Sequence, residues 1–275
     1  MYPRPFEYRN ASSVQEAIQL LQADPDAKII AGGHSLLPAM KLRLASPGTL
    51  VDISTIQELK QMSVNGGATI GAGVTYNDLL KSNDLKERFT ALYESVLKVG
   101  DVQVRNRGTI GGSASHADPA ADIPAALLAL NATFVVQGPN GNREVSADDF
   151  FVDILTTALE PEEVLTEIRL PATSVKSAYE KFAHPASGYA ICGVAAAIGD
   201  GAVRVAVTGA TYKATRLSAV ESALSDNIDA AAIEVAVENI GDLDYAGDHF
   251  ASNEYRAHLT KVYTKRALMR AAGLS

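Results

Sequence analysis

Cysteine is nearly absent from this sequence: Cys192 is the only one in 275 residues. A lone thiol makes no internal disulfide, which fits a reducing compartment. It cannot hold an iron–sulfur cluster, which needs several thiolates, and it leaves no cysteine-based zinc site. Tryptophan is missing altogether. Positive charge is in deficit, with 24 Lys and Arg against 32 Asp and Glu, a formal net charge of −8. Such a chain repels phosphate backbones, which disfavours general nucleic-acid binding. No run of about 18 apolar residues occurs, so no membrane span is expected. The opening residues, MYPRPFEYRNAS, contain no apolar stretch of the kind a secretory leader needs.

What is present is an ordinary globular composition. Apolar residues make up 47% and charged residues 20%. That supports a core and is too apolar for disorder. At about 150 residues per domain, the length fits one large domain or two smaller ones. Glycine is abundant, at 21 residues. If this protein does redox chemistry with one cysteine, an organic cofactor has to carry it.

The patterning mixes helix and strand. Ser13 to Glu16 forms a capping box ahead of apolar residues at Val14, Ala17, Ile18 and Leu21. That helix is expected to end near Asp24-Pro25. Residues 28–31, 49–53 and 69–71 read as strands, with a turn at Asn65-Gly66-Gly67. Residues 83–98 alternate with one helical period, and 122–130 is a second helix. Residues 133–137 and 144–146 flank an Asn-Gly hairpin turn, and 163–170 is a strand stopped by Pro171. The polar segment Pro171–Ser177 reads as a boundary. Beyond it, 179–184, 191–198 and 203–208 read as strands, with Asp200-Gly201 turning the last pair. Helices follow at 219–224, 229–240 and 253–271.

Two glycine motifs carry the chemistry. Ala31-Gly32-Gly33-His34-Ser35-Leu36 follows an apolar strand. Adjacent glycines allow positive φ and close approach of backbone to a ligand. Successive N–H groups can then converge on an anion. The segment is neither a P-loop nor a dinucleotide fingerprint, because the required Lys and glycine spacings are missing. Gly108-Thr109-Ile110-Gly111-Gly112-Ser113 again sets two glycines after a short apolar element. A lone Gly-Gly is more often a tight turn than a cradle. Two of them suit a diphosphate, which they could hold without Lys or Arg.

The wording of three stretches is specific. They are AGGHSLLPAMKLRLASPGTLVDIS, IGAGVTYNDL and VQVRNRGTIGGSASHADPAADIPAALLAL. In order and spacing they resemble the FAD-binding medium subunits of the molybdenum hydroxylases, of the carbon monoxide dehydrogenase and xanthine dehydrogenase type. The tail DHFASNEYRAHLTKVYTKRAL resembles the end of the same subunits, so the likeness covers nearly the whole chain.

The resemblance implies an α+β fold: a two-subdomain FAD-binding domain of the vanillyl-alcohol-oxidase (PCMH) type, then a C-terminal α/β domain with a small antiparallel sheet and helices. On this sequence the first would span 1–174, with subdomains at about 1–55 and 56–174, and the second 175–275. Non-covalent FAD is implied. Ala31, Gly32, Gly33, His34, Ser35 and Leu36 would wrap its diphosphate. Thr109, Gly111, Gly112, Ser113 and Ser115 would form the second cradle. Many relatives have Asn where this chain has Ser113, and the shorter side chain weakens its direct reach. Asp122 would bind the ribose or adenylate side, or else cap the helix that follows. Gly100 would lie against the cofactor. Leu165 would supply a backbone contact and Lys181 a cation near the flavin, unless Lys181 is a solvated strand-edge lysine. Tyr189 would stack on the isoalloxazine or serve as a hairpin tyrosine. His34 and His116 read as polar loop residues without a metal role, and Cys192 as a small buried hydrophobe.

The implied function is electron transfer. A large partner subunit would hold the molybdenum cofactor and a small partner the [2Fe-2S] clusters, as a dimer of heterotrimers. The FAD of this chain would pass electrons to a quinone, NAD or oxygen. No catalytic side chain beyond the flavin and no metal is expected here. The location would be cytoplasmic, with attachment to the inner face of the membrane as a variant. Two other classes remain open on the residues: a self-contained flavin reductase of the enolpyruvoyl-sugar type, and an interaction subunit without flavin.

Overall fold

The computed structural model describes residues 2–172, 174–225 and 228–274. Thr173, inside the expected boundary segment, lies outside the described residues. The chain begins with a small parallel sheet, built from β1 (Glu7–Asn10), β2 (Lys28–Ile30) and β3 (Thr49–Asp52) in the order β1-β3-β2. Helix α1 (Val14–Ala23) connects β1 to β2, and α2 (Leu36–Lys41) connects β2 to β3. Parallel neighbours require such crossovers. Ser13 caps α1 by accepting from Glu16 N. The Glu16 carboxylate reaches back one residue further than a capping box predicts, to Ser12 N at 2.8 Å. The residues picked out by the helical period, Val14, Ala17, Ile18 and Leu21, are the buried ones.

A 3-10 turn at Gln57–Lys60 leads into an antiparallel sheet of order β4-β5-β10-β6-β7. Its strands are β4 (Met62–Asn65), β5 (Gly67–Gly71), β6 (Thr133–Gly138), β7 (Gly141–Ser146) and β10 (Val164–Leu170). Between β5 and β6 run α3 (Tyr76–Leu80), α4 (Asn83–Arg88), α5 (Thr90–Leu97), α6 (Val102–Arg107), α7 (Ile110–His116) and α8 (Ile123–Ala129). Helix α9 (Ala147–Phe150) and a hairpin of β8 (Phe151–Asp153) with β9 (Thr156–Thr157) precede β10. Two expectations are corrected here. The single helix over 83–98 is two, broken at Phe89 (φ −125°, ψ 53°), whose ring is fully buried. The helical period survives the break because both pieces face the same core. In the β6–β7 hairpin the loop is Pro139-Asn140, and Gly141 (φ +107°) already opens the returning strand.

The last third forms an antiparallel sheet in chain order, β11 (Lys176–Ala183), β12 (Ala190–Gly199), β13 (Ala202–Thr208) and β14 (Thr215–Arg216). Helices α10 (Ser218–Ala223), α11 (Ala230–Glu238) and α12 (Asn253–Ala272) follow. Asp200 and Gly201 both take positive φ, at 51° and 73°, as a two-residue hairpin of this hand requires. β12 is buried on both faces. Ala195 and Ala197 join the core of the preceding sheet and its helices, while Cys192, Val194 and Ala196 join the core beneath α12. Its run of alanines fits that position, since α8 packs on one side and α12 on the other.

A candidate flavin site at two glycine motifs

The first motif sits where a parallel strand ends. β2 stops at Ile30, and the chain turns through residues 31–35 into α2. Ligands of open parallel sheets gather at such carboxyl ends. Gly33 has φ +76°, the left-handed region that favours glycine. Among the described residues, none of the N–H groups of residues 32–36 donates to a protein acceptor. Most backbone donors in a folded protein are paired, so five successive free ones are available to an anion. His34 is exposed and Ser35 half-buried beside them.

The second motif is built differently from the expected cradle. It is the capped start of helix α7, and the element before it is helix α6, with no apolar strand. Its N–H groups are already used. Ile110 N donates to Val74 O, Gly111 N to Ala72 O at 2.9 Å, and Ser113 N to Thr109 O. Gly112 N donates to the capping hydroxyl of Thr109 at 3.0 Å. What remains for a ligand is the proton of Thr109 Oγ1, the hydroxyls of Ser113 and Ser115, the open face of exposed Gly112 and the positive end of the helix. His116 is the last residue of α7, which corrects its reading as a loop residue.

Two of the four glycines serve packing. A Cβ at Gly32 would stand 2.1 Å from Arg107 O, and one at Gly111 would stand 2.4 Å from Ala72 Cβ. Gly32 therefore lets the first loop close directly on the backbone leading into the second. Gly108 completes the contact from the other side, since a Cβ there would meet the Tyr76 ring at 2.6 Å. The sequence places the motifs about 75 residues apart, and this interlock brings them to one place.

Asp122 does not cap α8. It has helical φ and ψ and makes no capping bond. Its buried carboxylate turns to β11 instead. Tyr179 Oη donates to Oδ1 at 2.6 Å and Lys181 Nζ to Oδ2 at 2.8 Å. Lys181 is equally buried, its side chain only 3% exposed, so it is not a solvated strand-edge lysine. Its Nζ also donates to Lys98 O at 2.9 Å. Burial pushes the Asp122 carboxyl up, against the opposing pull of Lys181, Tyr179 and Lys98. Two of the three Lys181 N–H bonds are spent in this way, and two of the acceptor positions on the carboxylate. Each group keeps capacity for a ligand.

Gly100 follows Lys98 closely, and Gly188 approaches it: a Cβ on Gly188 would lie 3.8 Å from Gly100 Cα. Next to Gly188, Tyr189 is half exposed in the β11–β12 loop, and burial together with Asp118 and Asp122 pushes its phenol up. Leu165 is buried in β10 beside a bulge, at the end that no longer pairs with β5, and α7 packs on the same strand. Gly100, Asp122, Lys181 and Tyr189 thus form one neighbourhood.

Sequence reasoning missed Tyr76, Lys98 and Tyr179. Tyr76 is buried under Gly108 and faces Ser113, and burial pushes its phenol up to about 12. Lys98 had a local signal in its closeness to Gly100. Tyr179 had one in its spacing from Lys181, since alternate residues of a strand share a face. Among the described residues, no group of three or more His, Cys, Asp or Glu could hold a metal ion, and no helix is long and apolar enough to cross a membrane.

Residues 4–173 match the family described as FAD binding domain in molybdopterin dehydrogenase, and residues 177–271 match the CO dehydrogenase flavoprotein C-terminal domain. The chain is 39% identical to the carbon monoxide dehydrogenase medium chain of Hydrogenophaga pseudoflava, over 98% of this chain and 97% of that one. It is 36% identical to the glyceraldehyde dehydrogenase medium chain of Sulfolobus acidocaldarius, over 99% and 100%. Among solved structures, a carbon monoxide dehydrogenase from Hydrogenophaga pseudoflava that lacks the Mo-pyranopterin moiety superposes with TM-score 0.94, at 40% identity, over 100% of this chain and 99% of that one. Quinoline 2-oxidoreductase from Pseudomonas putida 86 superposes with TM-score 0.92, at 34% identity, over 100% and 99%.

Proposed function

The chain belongs to the FAD-binding medium subunits of the molybdenum hydroxylase family, and from that membership we propose how its residues serve the flavin. Its function is electron transfer within a heteromeric oxidoreductase, whose molybdenum and iron–sulfur cofactors lie in other subunits. The observation that carries the residue assignment is the row of free N–H groups over residues 32–36, closed against Gly108. That loop, from Ala31 to Leu36, holds the FAD diphosphate. Thr109, Gly112, Ser113 and Ser115 add hydroxyls, an open face and the positive end of α7, while Gly111 holds that helix against Ala72.

Bound FAD supplies redox chemistry that takes electrons singly and releases them in pairs; the protein supplies position and electrostatics. Lys181 offers its remaining N–H to the flavin, and its charge favours added electron density there. Asp122 fixes that ammonium and keeps acceptor capacity for a hydroxyl. Gly100 and the Leu165 backbone give close approach, and Tyr189 covers the opening. With FAD in place, electrons would come from the clusters of a small subunit and go to a quinone, NAD or oxygen. The assembly is a dimer of heterotrimers with the large molybdenum subunit, in the cytoplasm.

Purification settles these assignments. The native chain is expected to be yellow or to take up added FAD, and the native complex to contain molybdenum and iron. A colourless chain that ignores FAD overturns the flavin assignment. Turnover of the reduced complex with each acceptor in turn identifies the physiological class.

A further inference from the structure

Tyr179 is the largest fully buried side chain of the protein, and its hydroxyl serves no step described above. Burying a phenol costs free energy unless its polar end is bonded. Here it donates to Asp122 Oδ1, across 57 residues of chain and from one sheet to the helix layer of another. The neighbouring strand makes room for it. A Cβ at Gly193 of β12 would stand 2.1 Å from the Tyr179 oxygen. Glycine inside a strand weakens it and marks a close approach. In this strand the approaching atom is the phenol oxygen.

The backbone of Tyr179 is fixed as firmly. Its N–H donates to Glu94 Oε2 at 2.8 Å, and its carbonyl accepts from Lys98 Nζ at 3.0 Å. The ring and its hydroxyl are therefore held, and through them one oxygen of Asp122. The groups facing that carboxylate are Tyr179 and Lys181 from β11, Lys98 from the end of α5, Tyr76 from α3 and Tyr189 from the β11–β12 loop. Lys181 and Lys98 are the cations among them. The hydroxyl of Tyr179 stabilises the ionised carboxylate, and the ionised carboxylate holds the Lys181 ammonium.

Resting on the flavin assignment above, we propose that Tyr179 is a positioning residue of the flavin site: its hydroxyl fixes the Asp122 carboxylate, so that Lys181 keeps its position and its free N–H for the cofactor. Tyr179→Phe keeps the ring and removes only the hydroxyl. Gly193→Ala keeps the hydroxyl and pushes it off Asp122. FAD binding by the full-length chain is followed by flavin fluorescence, from neutral to mildly acidic pH, beside thermal melts.

Both variants are expected to bind FAD about tenfold more weakly, the effect of losing one hydrogen bond to a charged group. Both should also move the acid limb of binding to higher pH, because the carboxylate without its phenol donor protonates more readily. A Tyr179→Phe chain with native affinity and an unshifted acid limb overturns the proposal. So does a loss of stability and affinity with the limb unmoved, which is what a merely structural tyrosine gives. If Tyr179→Phe does not fold, Gly193→Ala decides on the same two readings. Native protein that takes up no FAD overturns the flavin assignment and this role together, whereas native binding with indifferent variants overturns this role alone.

Discussion

Gly33 and Gly111 look alike in the sequence and do different work. Gly33 sits at φ +76°, with a Cβ only 3.0 Å from the flexible end of Leu37. Valine there meets backbone strain of about 1–2 kcal/mol and crowds the row of free N–H groups. Gly33→Val is expected to abolish FAD uptake while circular dichroism stays native. Gly111 has no unusual φ, yet a side chain would collide with the backbone and Cβ of Ala72. Gly111→Val is expected to cost about 2–3 kcal/mol by overpacking, read as a lower melting midpoint before any flavin is added. Equal behaviour of the two variants would sink the distinction. Pairs of glycines were legible in the sequence, and a diphosphate as their ligand stays the proposal that the free N–H groups of residues 32–36 support. Which glycine faces the ligand was not legible, because that depends on Arg107 and Ala72, which reach these loops only through the fold. Tyr179 was hidden for the same reason: its partner Asp122 is a remote residue that also reads as a helix cap.

At the scale of elements, α7 turns a loop motif into a helix start. Thr109 caps it through Gly112 N, which satisfies one of the orphan donors of the first turn. Thr109→Ala is expected to cost about 1 kcal/mol of stability and to weaken FAD binding, with Thr109→Ser restoring most of both. Chemical denaturation and flavin titration of the three chains check it. The sheet behind α7 has its own fastening. Arg143 of β7 makes a two-pronged pair with Glu163 just before β10, the shorter contact being 2.6 Å. The Arg143 hydrogen bond holds the Glu163 carboxyl below its ordinary value of 4.5. A lowered folded value means stability that is complete above 4.5 and lost as pH falls through the folded value. Glu163→Gln is therefore expected to lower stability by about 1 kcal/mol or less at neutral pH, with the gap to the native chain closing in acid. A gap that stays constant down the acid range would contradict the assignment. Elements with a clean period, such as α1, α12 and the strands around Asp200-Gly201, were readable from sequence. The break at Phe89 was not, since nothing in residues 83–98 but the burial of that ring interrupts the pattern.

For the whole molecule, the question is whether the segment at 171–177 separates two independent bodies. It is polar, as a linker would be, but the core does not stop there. Val175, Tyr179, Ala195, Ala197, Ala206 and Ala214 pack into the same cluster as Leu92, Ile123 and Phe134. Helix α8 is buried along its whole length, and part of what buries it is β12 and β13. Polar bonds fasten the same seam. Thr208 Oγ1 donates to Pro119 O and Ala121 O, Ala91 N donates to Ser177 Oγ, and Arg216 bridges to Asp148 and Leu128 O. The Asp122–Lys181 pair lies in that seam as well, so the seam and the proposed flavin site share residues. Cutting there would strip α8 of its cover and leave Asp122 without its ammonium, a buried charge with no partner. Residues 1–172 produced alone are therefore expected to be insoluble or to lack a cooperative melt, and the full chain to unfold in a single transition. Calorimetry of the full chain and of the fragment tests this. Two well-separated transitions, or a fragment that melts cooperatively and binds FAD, would show that the seam is a contact between independent domains. On this packing the C-terminal sheet is instead continuous with the core of the first domain, and it is a wall of the flavin site proposed above, to which it would supply Lys181 and Tyr189.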